Sequence, residues 1–102
     1  MKNISAITIS SDGRYMFVGN TTGLIFIFKS LKLDWELVGV RKGCDREIIK
    51  IICFRDNEER KILVCCPLKI NLWRVIENDE KKGGQDYVTL EKVGDKETEE
   101  EE

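Results

Sequence analysis

Histidine is missing from this 102-residue chain, and with it the Ser-His and Cys-His pairs that activate a nucleophile. The same absence removes the residue that most often joins cysteine around zinc. No Cys-x-x-Cys spacing occurs among the four cysteines, Cys44, Cys53, Cys65 and Cys66. Three of them, Cys53, Cys65 and Cys66, fall in strand-like stretches where a thiol acts as a small hydrophobe, and neighbours 65 and 66 point to opposite faces of a sheet. The sequence therefore predicts no metal, no cofactor and no disulfide framework, and it leaves Cys44, in Lys42-Gly43-Cys44-Asp45, as the one candidate for an exposed reactive thiol. No apolar run nears the roughly 18 residues of a membrane span, and residues 1–9 are too short and too polar for a signal peptide. These absences predict an intracellular protein, cytoplasmic or nuclear, without a membrane span. Catalysis finds no footing either. Gly83-Gly84 follows no strand and opens no helix, as a phosphate-cradling loop must, and the paired acids Glu58-Glu59 and Asp79-Glu80 read as solvated loop charges.

What is present is a blurred repeat with a period of 45 residues: Ile4 aligns with Ile49, Ile7 with Ile52, Ile9 with Phe54, Phe28 with Trp73, and the turn Asp12-Gly13 with Asn57-Glu58. A period of roughly 40 to 45 is that of stacked four-stranded units. In the first copy, β-branched residues 4–9 end at Ser10-Ser11-Asp12-Gly13, where Asp bonds its own backbone and Gly supplies positive φ. Residues 15–19 form a second strand, Asn20-Thr21-Thr22-Gly23 reverses the chain, and 24–29 is apolar enough to be covered on both faces. A weaker fourth strand spans 34–40. The second copy places strands at 48–54, 61–66, 68–76 and 87–93, with residues 55–60 as a polar loop and 77–86 as a flexible connection. The single proline, Pro67, closes the second strand of this copy, since a residue without an N–H cannot serve a central ladder.

Residues 4–13 resemble the first strand and Ser-Pro-Asp-Gly turn of the WD40-repeat β-propeller family, with Ser11 in place of proline. Residues 23–30 resemble its Gly-Thr-Ile-x-Val-Trp-Asp strand, with Phe28 for tryptophan and Lys29 for aspartate. In the second copy Ile70-Asn71-Leu72-Trp73-Arg74 keeps the tryptophan and again replaces the aspartate. The resemblance covers residues 4 to about 93 and implies an all-β fold: a WD40-like β-propeller fragment of two four-stranded antiparallel blades, 1–42 and 43–94. Without histidine, the family's buried Ser-His-Asp-Trp network is unavailable, so these are degenerate blades held by apolar packing. Residues 95–102 carry six acids against Lys96, a net of −5 out of a total of −2, and read as a disordered acidic tail.

Two blades leave faces and edges bare, because closed propellers use about 4 to 8 blades. The chain is then an excised end of a longer propeller, a partner that completes one in trans, or a self-associating unit through open blade edges; the first reading is preferred. The function implied is that of a non-catalytic scaffold for protein–protein interaction and assembly of a multi-subunit complex, its partners being other proteins or missing blades. Rim loops would carry the contacts, with Arg41, Lys42, Arg46, Arg55 and Arg60 as candidate partner-binding cations, and Trp35 and Tyr87, on the outer strands, as candidate exposed aromatics. A second reading is an accessory RNA-binding subunit. Arg41, Lys42 and Arg46 cluster in one loop, and Arg55, Arg60 and Lys61 in what reads as the equivalent loop one blade later, although acids interrupt both.

Overall fold

The computed structural model describes residues 3–77 and 88–97. Eight strands run in order: β1 (Ile4–Ile9), β2 (Tyr15–Asn20), β3 (Leu24–Ser30), β4 (Trp35–Lys42), β5 (Lys50–Asp56), β6 (Glu59–Cys66), β7 (Lys69–Glu77) and β8 (Val88–Glu97). They form two four-stranded antiparallel sheets, ordered β1-β2-β3-β4 and β5-β6-β7-β8. The sheets lie face to face, with β1 and β2 against β5 and β4 against β8, an arrangement compatible with two adjacent blades of a β-propeller. Among the described residues no helix is long and apolar enough to cross a membrane.

Local chemistry explains the turns. Asp12 Oδ1 accepts from the Ser10 hydroxyl at 2.6 Å and the Arg14 amide at 3.0 Å, while the Ser10 hydroxyl accepts from the Tyr15 amide at 3.0 Å. Asn20 Oδ1 gathers the Thr22 amide, the Thr22 hydroxyl and the Leu24 amide. Both are side-chain-closed turns of the kind Asp and Asn favour. The stretch 55–60, read above as an open polar loop, is a tight hairpin instead: β5 and β6 pair through Asp56 and Glu59. Only Asn57 and Glu58 remain between them, both left-handed at φ 52° and 68°, the backbone that two-residue hairpins require.

The core fills the space between the sheets. Phe17, Ile25 and Ile27 from the first sheet meet Ile62 and Val64 from the second and Ile48 from the linker that precedes β5, all under 2 % exposed. Polar links cross the same junction. The Ser5 hydroxyl donates to the Ile48 carbonyl, the Ile48 amide to the Asn20 carbonyl, and the amides of Gly43 and Cys44 both to the Gly23 carbonyl.

Phe28 and Trp73 occupy the same place in their sheets. Each follows a bulge, between Ile27 and Phe28 on one side and between Leu72 and Trp73 on the other. Across the strands Phe28 lies in the row Ile9, Met16, Phe28, Leu37, and Trp73 in the row Cys53, Ile62, Trp73, Lys92. Ile9 therefore corresponds to Cys53, and Ile7 to Ile51, one residue away from the constant-period alignment. The offset drifts because the hairpins differ in length: Ile9 and its partner Met16 are 7 positions apart against 9 for Cys53 and Ile62, and three residues join β2 to β3 against two between β6 and β7. In a strand a one-residue slip exchanges the two faces, so Ile52 and Phe54 lie on the opposite side of their sheet from the positions matching Ile7 and Ile9.

Two further expectations change. β8 continues to Glu97, three residues into the stretch read as tail, because Asp95 pairs across to Asn71 and Glu97 to Lys69. The connection expected at 77–86, the aromatic Tyr87 and residues 98–102 lie wholly or mostly outside the described residues.

Candidate functional site

At one rim of the sheets, the end of β4, the linker 43–49 and the β6–β7 turn enclose a cleft of about 310 Å³. Lys42, Arg46, Lys69 and Lys92 reach it, with Asp45 as the acid of its lining and Trp73 in its wall. Lys69 Nζ and Lys92 Nζ share Asp95, at 3.5 and 2.8 Å. These two cations hold the exposed Asp95 carboxyl below its usual range, the Lys92 hydrogen bond leading. Lys42 and Arg46 have no ion pair among the described residues. Arg41 lays its guanidinium over the Trp73 ring, 5.4 Å from the centroid, which docks a first-sheet cation on a second-sheet aromatic. The indole is 4 % exposed, and its Nε1 has no acceptor among the described residues.

The linker is held in place beneath this cleft. Asn71 donates from Nδ2 to the Gly43 carbonyl at 2.8 Å. Cys44 and Cys66 form a disulfide, their Cα atoms 5.8 Å apart. This overturns the expectations of an unbridged chain and of Cys44 as an exposed thiol: Cys44 is buried and bonded. The argument from adjacent cysteines failed because only Cys66 of the pair 65–66 faces the linker, while Cys65 turns to the other side of β6 and stays free. A lasting disulfide belongs to oxidising surroundings, so cysteine usage no longer supports the intracellular expectation.

The second basic cluster sits at the opposite rim. β5 spans the distance between residues 41–46 and the β5–β6 hairpin, so Arg55, Arg60 and Lys61 extend no common surface with Arg41, Lys42 and Arg46. Arg60 is 5 % exposed. Its guanidinium donates to Asp12 from the first sheet and to Glu77, and stacks over Tyr15 at 4.7 Å. It is thus an internal tie between the sheets, withdrawn from the surface. Asp12, held by the Ser10 hydroxyl first and then by the Arg14 amide and Arg60, has its carboxyl lowered to about 2. Burial, then Glu77, raises the Tyr15 hydroxyl. Arg55 is exposed and lies 3.6 Å from Asp12, and Lys61 pairs with Asp56 at 2.9 Å.

Of the candidate residues, the structure thus gathers Lys42 and Arg46 in one cleft, with Arg41 beside it. It sets Arg55 apart, buries Arg60, and places Trp35, half-buried, at the outer margin of the first sheet; Tyr87 is outside the described residues. Sequence reasoning missed Lys69 and Lys92, which join the cleft only through the pairing of β7 with β8. Among the described residues no group of three or more His, Cys, Asp or Glu is disposed to hold a metal. Paired cations beside an aromatic wall can receive carboxylate or phosphate oxygens by charge-assisted hydrogen bonds. No protein-family model matches the chain, and no curated protein matches it.

Proposed function

We propose that this chain is a non-catalytic interaction scaffold, two degenerate WD40-like blades that mediate protein–protein contacts in the assembly of a multi-subunit complex. The observation that carries this reading is the rim cleft. Lys42 and Arg46, without an ion pair among the described residues, enter it from the side of the first sheet, and Lys69 and Lys92 from the second, around a wall that contains Trp73. Recognition on such a scaffold concentrates at arginine and aromatic side chains. The partner segment that matches this set of cations is an acidic peptide. RNA contact, the second reading, loses support because Arg55, Arg60 and Lys61 are engaged with acids at the far rim.

Titration with a short glutamate-rich peptide, followed by tryptophan fluorescence, tests the proposal. Saturable binding that weakens at least tenfold in Arg46→Glu, and that exceeds binding of single-stranded RNA of equal charge, is the expected result. Preference for RNA with a steep salt slope, or no response to Arg46→Glu, removes the reading.

A further inference from the structure

Each sheet has one face in the internal junction and one face bare. The bare face of the first sheet presents Ile7, Phe26 and Val40 in one row, with Val18, 2 % exposed, between Ile7 and Phe26, and Ile9, Met16, Phe28 and Leu37 in the next. Ile7, Ile9, Leu37 and Val40 are 58, 52, 51 and 42 % exposed. Neither row contains a charge. The bare face of the second sheet presents the row Ile52, Leu63, Leu72, Gly94, flanked by the row Lys50, Cys65, Ile70, Lys96, whose lysines stand on the two edge strands, and by the row Phe54, Lys61, Arg74, Glu91; an apolar groove of about 420 Å³ runs along Leu63, Ile70 and Leu72.

These two faces are the two halves of a junction the chain already makes once. Ile7, Ile9, Met16, Val18 and Phe28 stand at the positions of Ile51, Cys53, Ile62, Val64 and Trp73, the face that the second sheet buries against the first. Leu63, Ile70 and Leu72 stand at the positions of Phe17, Ile25 and Ile27, the face that the first sheet buries against the second. At its apolar centre, the surface that the second sheet leaves open is the counterpart of the one that the first sheet buries.

From this correspondence we infer that a second copy of the chain seats the bare face of its first sheet on the bare face of the second sheet, repeating the internal junction. The contact is head to tail, and such contacts form a ring when the rotation closes. Since closed propellers hold about 4 to 8 blades, the ring contains two to four copies. Four strands at about 4.8 Å spacing, with six or more residues at about 3.3 Å each, give a face of roughly 20 by 20 Å. That is about 400 Å² per face, and a copy in a closed ring covers two such faces, about 800 Å² in all, which is the area per partner of a stable interface. The inference uses other surfaces than the rim cleft and stands independently of it.

Sedimentation velocity and light scattering on the full chain over a wide concentration range provide the test, with Ile7→Asp blocking one face and Ile52→Asp the other. Wild type should give a discrete species of two to four copies, and each variant alone a monomer. An equimolar mixture of the variants retains one intact junction and should give a heterodimer that grows no further. Leu37→Lys and Phe54→Lys form a second pair should either aspartate variant lose its strand signature in circular dichroism. A wild type that stays monomeric, an open polydisperse series, or a mixture that remains monomeric while wild type associates each overturn the inference.

Discussion

Reduction of the Cys44–Cys66 bridge should remove a large part of the stability of this chain. The bond encloses 22 residues of separation, the whole of β5 and β6, and ties the inter-sheet linker to the far end of β6. A closed loop of that length restricts the unfolded chain by about 3.4 kcal/mol at 25 °C in the chain-entropy treatment. The native side changes little, because Cys44 and Cys66 are 5 and 9 % exposed and buried thiols pack as small apolar groups. At about 4–8 °C per kcal/mol for a domain of this size, the melting temperature should fall by about 15–25 °C. With a urea slope of about 1–1.5 kcal/mol/M, the midpoint should fall by about 2–3 M. Urea unfolding followed by circular dichroism, on wild type with and without reductant and on the double variant Cys44→Ala/Cys66→Ala, measures this directly. Thiol titration of the unreduced, denatured chain should find two groups, Cys53 and Cys65, and four after reduction. Four thiols before reduction, or a double variant with the midpoint of oxidised wild type, would refute the reasoning.

Two other outcomes follow from the junction. Gly23 sits at φ +91°, and a Cβ there would collide with the carbonyl of Cys44 and lie 2.7 Å from that of Arg46. Gly23→Ala should therefore cost about 3 kcal/mol or more, through strain and backbone displacement together, and a thermal melt within 3 °C of wild type would contradict the close approach. The lowered Asp12 carboxyl sets a pH dependence. Its contribution is fully present above the unfolded value near 3.8 and is lost as pH falls towards about 2. Solvent screening at this partly exposed group limits it to about 1 kcal/mol. Asp12→Asn should unfold with a flatter dependence on pH between 5 and 2 than wild type, and parallel profiles would remove Asp12 from the acid response.

Strand content was legible in the sequence because alternation leaves a direct mark. The run 61–66 falls within β6, whose burial alternates residue by residue, and the apolar run 24–29 lies in β3. That run was read as covered on both sides, whereas the structure covers one face and leaves Phe26 and Phe28 half-buried on the other. The equivalence of Phe28 and Trp73 was legible from motif spacing. The face assignment of β1 against β5 was not, since a period of 45 holds only for β3 and β7. Arg60 shows the limit on the functional side. Flanked by Glu59 and Lys61 it reads as a solvated loop cation, and its burial depends on Asp12, 48 positions earlier.

The sequence alone determined that the chain forms short strands with side-chain-closed turns, that it lacks the imidazole needed for nucleophile activation by histidine, and that its two halves repeat. These properties reside in periods of two residues and in the chemistry of single side chains. Tertiary structure decided which cysteines bond, which cations are spent on internal pairs, and which apolar faces remain bare. Those outcomes depend on strand register and turn length, where a shift of one residue exchanges the buried and open sides of a sheet, and local composition carries no record of that choice.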